Sequence, residues 1–320
     1  MSKILITGIT GFVGTALCKQ LRQNDHMLSG TTRTANLGAG PESVPLYHIP
    51  EIGPDTDWSQ ALSGAEIVIH LAARVHVMKD RAVDPLAEFR RVNTDGTLRL
   101  AEQAVAAGVK RFIFLSTTKV TGELSPPSGF SETDPARPED GYGVSKWEAE
   151  QALLEISKTT SMEVVILRPP LVYGPGVKGN FLTLLKAVDR GTVLPLGAIQ
   201  NQRSLIYVGN LADVIVTATT HADAANQTFF VSDEGTVSTT SLIENIAASL
   251  NKKPRLINLP PGLLKFAGAL TGKSGAIQRL IGSLTVDSGK IRSLLNWRPP
   301  FTMTEGLKLT ADWWRSVKNK

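Results

Sequence analysis

Tyr142 and Lys146 stand four residues apart in "GYGVSK", where the pattern of the chain predicts a helix over Gly143–Ser157. Residues at i and i+4 share a helix face, so a phenol and an ammonium can point into one site. A tyrosine ordinarily titrates near pH ~10. A cation beside it favours the phenolate and brings it toward the range of a working acid or base. A second group of side chains ends the stretch "FIFLSTTKVTG", with hydroxyls at Ser116, Thr117 and Thr118. A hydroxyl there can hold a substrate oxygen while a proton moves. A third pattern opens the chain: Gly8, Gly11 and Gly14 follow the apolar run 3–7. This G-x-x-G-x-x-G has one residue more than the dinucleotide fingerprint G-x-G-x-x-G. Glycines on a strand-to-helix turn leave the first N–H groups of the helix open to an anion, normally a phosphate.

These groups need a scaffold, and the chain supplies one. Strand-like segments are expected at 3–7, His26–Arg33, Ala65–Ala73, Arg111–Thr117 and Met162–Pro169. Helical patterns follow Gly14 to about Asn24–Asp25 and cover Asn93–Ala107 and Gly143–Ser157. Such alternation predicts an α/β chain: a doubly wound parallel sheet of Rossmann type, covered by helices on both faces. The C-terminal strand ends of such a sheet line the ligand crevice, which is where the hydroxyls fall. Gly and Pro become dense from Pro169 to Gly197. The expected division is therefore a dinucleotide-binding domain over 1–175, with some later segments returning to it. A smaller, partly interleaved substrate-binding region covers 176–320. Leu259–Leu270 reads as a core-facing helix, with contact to a membrane or a partner as the alternative. "GALTGKS" (268–274) has Ala267 where a P-loop needs its first glycine, and reads as a helix end and turn.

The bulk numbers exclude several classes. Of 320 residues, 42% are hydrophobic and 20% charged, an ordinary globular composition. A net charge of +5 with scattered basic residues predicts no nucleic-acid partner, although a positive cleft suits an anionic substrate. Cys18 is the single cysteine, so no disulfide framework exists and a reducing compartment is expected. No apolar run reaches membrane-spanning length and the first strand begins by residue 3, which predicts a cytoplasmic protein without an integral membrane segment. No metal site is expected.

Taken together, the motifs resemble the extended short-chain dehydrogenase/reductase family, the NAD-dependent epimerases and dehydratases, over nearly the whole chain. The matching stretches are the glycine turn, "HLAA" (70–73), "NTDGT" (93–97), the hydroxyl strand end, "YGVSK", "RPPLVYGP" (168–175) and "RSLIYVGNLAD" (203–213), in the family's order. The resemblance implies Tyr142 as acid/base, with Lys146 holding the nicotinamide ribose and depressing the tyrosine. It places the hydroxyl partner 25 residues before the tyrosine, at Thr117. It implies dinucleotide contacts from Gly8, Gly11, Phe12, Val13, Gly14, Thr32, Arg33, Leu71, Ala72, Ala73, Tyr142, Lys146 and Pro169. Substrate contacts are implied at Thr118, Asn180, Phe181 and Arg203, with Arg203 gripping the diphosphate of a UDP-sugar. Asn93 matches the family's structural asparagine, and a homodimer through the Asn93 and Gly143 helices is expected.

Departures from the family pattern narrow the reaction. Sugar 4,6-dehydratases place an acidic pair after the active threonine; here Thr118 and Lys119 stand there, which disfavours elimination. NAD-preferring members carry an acid at the end of the second strand, where this chain has Thr32 and Arg33. That pair could bind a 2′-phosphate. The expectation is thus an NAD(P)-dependent enzyme acting at C4 of a nucleotide sugar. NADP(H) is favoured, NAD(H) possible, and the reaction is 4-reduction of a UDP-4-keto-6-deoxy-N-acetylhexosamine. "ARVHVMKD" (73–80) and "RPPLVYGPGVKGNF" add to a likeness with surface-polysaccharide enzymes. The alternative is a UDP-glucose or UDP-GlcNAc 4-epimerase that retains its NAD. Leu171 replaces a substrate-contacting asparagine and Thr121 the tyrosine of V-Y-G, which leaves the pose of the sugar open. A nucleotide sensor would have no need of Thr117, Tyr142 and Lys146, and an apolar substrate would leave Arg203 without a partner.

Overall fold

The computed structural model describes residues 2–24, 26–35, 38–75, 82–272 and 274–318. Its main sheet is built from β1 (Lys3–Thr7), β2 (Met27–Thr32), β3 (Leu46–His48), β4 (Ile67–His70), β5 (Arg111–Leu115), β6 (Glu163–Arg168) and β9 (Gln227–Phe230). The strand order is β3-β2-β1-β4-β5-β6-β9 and every pairing is parallel. A separate parallel pair joins β7 (Leu171–Tyr173) to β8 (Leu205–Tyr207). Ile4, Leu5, Ile6, Val68, Ile69 and Phe112 to Phe114 have no exposed surface. These strands are apolar on both faces because helices cover both, the condition for an all-parallel sheet.

On one face lie α1 (Phe12–Leu21) and α7 (Val208–Thr220), packed on each other. On the other lie α2 (Ser59–Leu62), α4 (Gly96–Ala106) and α5 (Gly141–Thr159), whose Leu100, Ala104, Ala149 and Leu153 meet Phe112, Phe114 and Val164. α3 (Pro85–Phe89) runs into α4 through a π-helical turn, Arg90–Asp95. A further core gathers α6 (Gly179–Asp189), α8 (Thr239–Ser249) and α12 (Met303–Lys318) beneath Tyr173 and Tyr207. α9 (Pro261–Leu270), α10 (Ser274–Ile281) and α11 (Gly289–Leu295) complete the fold.

The five expected strands form, and three of the expected helices with them, at shifted ends. The second helix begins eight residues before Asn93, because Asp84 caps it by accepting the Ala87 N–H at 3.1 Å. α5 begins at Gly141 because Asp140 caps it. The expectation for Leu259–Leu270 is corrected in one respect. The helix forms as α9, but only Leu264 and Gly268 are buried, while Leu263, Phe266 and Leu270 are exposed. Only the narrow face through Leu264 and Gly268 meets the rest of the protein, which leaves the side bearing Leu263, Phe266 and Leu270 in solvent. Gly272, with φ of 67°, ends this helix in a left-handed turn, as expected of "GALTGKS".

Candidate active site

The glycine turn is closed by backbone contacts. Gly8 has φ of 70°, and a Cβ there would lie 2.8 Å from the Ala72 nitrogen. A Cβ on Gly14 would lie 2.4 Å from the Gly8 carbonyl oxygen and 2.6 Å from that of Ile9. Gly11 donates its N–H to Gly8 at 2.9 Å and starts α1 with no side-chain cap. Thr10 and Gly11 are exposed, so the N-terminal end of α1, with Phe12 and Val13 in its first turn, faces outward. This cradle fits the pyrophosphate of a dinucleotide: N–H groups at the positive end of a helix, with no side chain in the way.

The loop after β4 is tied to the same turn. Leu71 donates its N–H to the Thr7 carbonyl at 3.2 Å, and Ala72 donates to Thr7 Oγ1 at 3.2 Å. Beyond Ala73, Arg74 is clamped by Asn93, which accepts its N–H at 2.8 Å and donates to its carbonyl at 3.0 Å. Asn93 also donates to Ser145 Oγ at 3.0 Å. The π turn thus links the loop after β4 to α5. Of "ARVHVMKD", residues 76–80 lie outside the described residues.

α5 carries Tyr142, Lys146 and Glu150 at successive four-residue steps along one face. Asp140 accepts the Gly143 N–H at 2.7 Å and so fixes the start of this helix. Lys146 is 1% exposed, with Nζ 3.7 Å from the centroid of the Phe114 ring. Burial lowers its ammonium from 10.5 to about 7, and the charge of Glu150 opposes that drop. The expected lowering of the Tyr142 phenol by Lys146 is corrected: burial, and then the charge of Asp140, push it above its ordinary value. Glu150 takes a two-pronged ion pair from Arg168, at 3.1 Å and 3.2 Å from Nε and 2.5 Å from Nη2.

The end of β5 turns beside this helix. Thr117 is 9% exposed and accepts the Lys119 N–H at 3.3 Å. Thr118 donates its N–H to the Pro169 carbonyl at 3.1 Å, which joins the ends of β5 and β6. Ser116 Oγ is buried with no hydrogen-bond partner among the described residues. Lys119 pairs with Asp140 at 2.5 Å and with Glu123 at 2.9 Å. The charge that follows Thr118 is therefore turned onto the cap of α5.

The remaining expected residues are more spread out. Thr32 is buried at the end of β2 and accepts the Thr34 N–H at 3.1 Å, while Arg33 is exposed. Asn180 is exposed in the first turn of α6. The ring of Phe181 is buried and stacks on Tyr173 at 5.5 Å, so its backbone alone is left for a ligand. Arg203 donates to the carbonyls of Arg279 at 2.6 Å and Gly282 at 3.3 Å, holding the end of α10. Sequence reasoning missed Glu150, Arg168 and Asp140 as parts of this site. Their signals were present: a carboxylate one further turn along from Lys146, and an aspartate three residues before Gly143.

The strand order reverses direction at β1, and the glycine turn follows that strand, the arrangement in which dinucleotides settle at the sheet's C-terminal edge. A half-buried tyrosine one helical turn from a buried lysine at that edge makes this a Rossmann-fold enzyme of the short-chain oxidoreductase type. The chain belongs to the NAD dependent epimerase/dehydratase family, which it matches over residues 4–231. It is 44% identical to a UDP-glucose 4-epimerase of Vibrio cholerae, over 99% of this chain and 97% of that one. It is 28% identical to the N-acetyl-α-D-glucosaminyl-diphospho-ditrans,octacis-undecaprenol 4-epimerase of Escherichia coli O157:H7, over 97% and 94% of the two chains. Its fold is similar to that of the Thermus thermophilus UDP-glucose 4-epimerase in complex with NAD. The TM-score is 0.77, with 23% identity over 98% and 99% of the chains.

Proposed function

We propose that the protein is a UDP-hexose 4-epimerase that retains its NAD, rather than the 4-ketoreductase expected from Thr32 and Arg33. The observation that carries this reading is a half-buried Tyr142 and a buried Lys146 on one face of α5, beside a turn with no carboxylate at positions 118 and 119. Without acidic groups to remove and deliver protons across two carbons, the site is equipped for exchange at one carbon. Similarity to an epimerase over almost the full length supports the same choice.

Bound NAD supplies the acceptor for the hydrogen on the sugar's C4 carbon. Tyr142 takes the proton of the C4 hydroxyl and returns it, with Thr117 Oγ1 holding that oxygen through the exchange. Lys146 holds the nicotinamide ribose and, while it carries its charge, works against the burial and the Asp140 charge that raise the Tyr142 phenol. The turn at Gly8, Gly11 and Gly14 with Phe12 and Val13 receives the pyrophosphate. Leu71 to Ala73 and Pro169 border the dinucleotide, and Thr32 and Arg33 face its adenosine end. Thr118, Asn180, the Phe181 backbone and Arg203 serve the UDP-sugar, the guanidinium keeping donors beyond those given to α10. On this reading residues 1–175 mainly hold the dinucleotide and 176–320 mainly the sugar nucleotide. The enzyme works in the cytoplasm as a homodimer paired through the helices around Asn93 and α5.

One observation favours a second reading. The end of β2 bears a threonine and an exposed arginine instead of a carboxylate, which suits NADPH and a 4-keto sugar reduced in one direction. The two are separated by incubating purified protein with UDP-glucose or UDP-GlcNAc and no added dinucleotide, with products followed by NMR. Formation of the 4-epimer supports the epimerase. Turnover only of a 4-keto sugar, with NADPH consumed in equal amount, overturns it. Titration of both dinucleotides against wild type and Thr32→Asp checks the cofactor. A wild-type preference for NADPH that Thr32→Asp reverses restores the reductase.

A further inference from the structure

Residues 245–286 contain six basic side chains and no Asp or Glu. Within them lies α9, whose two sides are both apolar. Leu264 and Gly268 face inward, and a Cβ on Gly268 would lie 2.7 Å from Ile277 Cδ1, so α9 is seated tightly on α10. Leu263, Phe266 and Leu270, at helical spacing, form a second stripe that is 53%, 64% and 73% exposed. Leu280 of α10 is 41% exposed. Leu124 is 43% exposed and borders, with Pro261, Lys265 and Gln278, a groove of about 360 Å³ between the two helices and the chain after Thr117. The patch thus runs to the edge of the substrate side, where Gly282 accepts from Arg203.

Large apolar side chains lined up in water mark a surface that something covers. A second copy of the chain is a poor fit. A helix of ten residues presents a strip about 15 Å long and ~10 Å wide, well short of the ~800 Å² per partner of a stable interface. A bilayer needs no such area. It takes a few inserted apolar side chains framed by cations, and gains from anionic headgroups. Lys253 and Lys265 are exposed, and the segment offers an anionic surface no carboxylate of its own to repel. Lys252 and Arg279 are partly engaged, with Asp189 at 2.7 Å and Glu123 at 3.5 Å. We propose that α9 and α10 form a docking face for an anionic lipid bilayer, with Leu263, Phe266 and Leu270 inserted and Lys265 at the headgroups. Docking would hold the substrate side of the enzyme against the membrane surface, whichever sugar it takes.

Sedimentation with vesicles tests this. The full chain is mixed with vesicles of phosphatidylethanolamine and phosphatidylglycerol (3:1), or of phosphatidylcholine alone. Wild type should bind the anionic vesicles at least about tenfold more tightly, with binding that weakens as salt rises. The triple variant Leu263→Ser, Phe266→Ser, Leu270→Ser should bind them at least about a thousandfold less, since each such side chain contributes roughly tenfold or more. Its melting temperature and its turnover of a soluble UDP-sugar should stay at wild-type values. Lys265→Glu, an exposed change that leaves the stripe intact, should weaken binding severalfold. Absence of wild-type binding to anionic vesicles overturns the assignment, as does equal binding by the triple variant. Concentration-dependent self-association, abolished by the triple variant without vesicle binding, would overturn it in favour of a second copy.

Discussion

Gly14→Ala probes whether the opening turn is shaped for a dinucleotide or is merely a tight turn. The added Cβ would lie 2.4 Å from the Gly8 carbonyl oxygen, 2.6 Å from the Ile9 oxygen and 2.7 Å from the Ile9 carbonyl carbon. Comfortable contact begins near ~3.5 Å, so α1 and the turn must part by roughly 1 Å. All three atoms are backbone, and no side chain can swing aside. Overpacking of this kind costs about 1–3 kcal/mol. A gain of about 1 kcal/mol from alanine's helix propensity offsets part of it, since Gly14 lies within α1. The net loss is up to about 2 kcal/mol, or a few degrees in melting temperature for a chain of this size. NAD should suffer more. Its pyrophosphate would meet N–H groups displaced by about the same distance, and one charge-assisted hydrogen bond lost is worth at least about tenfold in affinity. Thermal melts across an NAD titration measure both effects at once. Gly275→Ala is the control, because it lies in α10 with nothing within 4 Å of its added Cβ. It should be neutral or stabilising by up to about 1 kcal/mol. If Gly14→Ala melts and binds NAD like the wild type, the cradle has been misread.

Tyr142→Phe should lower turnover by roughly 10²–10⁴-fold while leaving NAD affinity nearly intact. Residual activity above about a tenth of wild type would give the proton transfer to another group. Arg203→Ala should raise KM for the UDP-sugar with a smaller effect on kcat, since a diphosphate contact holds ground and transition states alike. An unchanged KM would leave Arg203 with its structural role at the end of α10. Lys146→Met should stabilise protein stripped of dinucleotide at pH 6, an advantage that fades toward pH ~10. Burial holds the ammonium at about 7 against an ordinary 10.5. The folded chain thus bears the full cost of the charge below about pH 7, and less of it as pH rises to the unfolded value. Urea melts at pH 6 and 9.5 check this; a difference independent of pH would mean that Lys146 is not titrating between the two.

The sheet was legible because its strands are short apolar runs broken by glycine-bearing turns and helical patterns. The short strand Leu46–His48, with its half-exposed edge, carries no such contrast and was not anticipated. β9 was missed for another reason. "QTFF" is unremarkable in isolation, and only pairing with β6 makes it a strand of the main sheet. The Tyr142–Lys146 pair was legible because helical periodicity converts spacing directly into a shared face. Asp140 and Lys119 were not, because their pairing spans 21 residues and depends on where β5 ends. Spacing in the sequence carries no signal for that. Leu259–Leu270 was misjudged because hydrophobicity alone does not say which side of a helix is covered.

The polar contacts are distributed unevenly, and that bears on how such a scaffold accepts different sugars. Around Tyr142 and Lys146 every flanking element is fastened by buried or charged partners. Asn93 joins Ser145 to the loop after β4, Glu150 is held by Arg168 at the end of β6, and Asp140 is held by Lys119 at the end of β5. Each clamp comes from a different strand end, so the reacting face of α5 is fixed relative to the crevice from three directions. Proton transfer demands that fixity, since a displacement of a fraction of an ångström weakens a hydrogen bond steeply. On the side proposed for the sugar, Arg203 leans on two backbone carbonyls, and Leu171 offers only an apolar side chain. Backbone carbonyls hold a guanidinium without selecting its neighbours, so this wall can change composition while the reacting face stays put. On the proposed function, the chemistry at C4 is set by α5 and its clamps, and the choice of sugar by the residues from β7 onward, where substitutions should alter substrate preference without abolishing turnover.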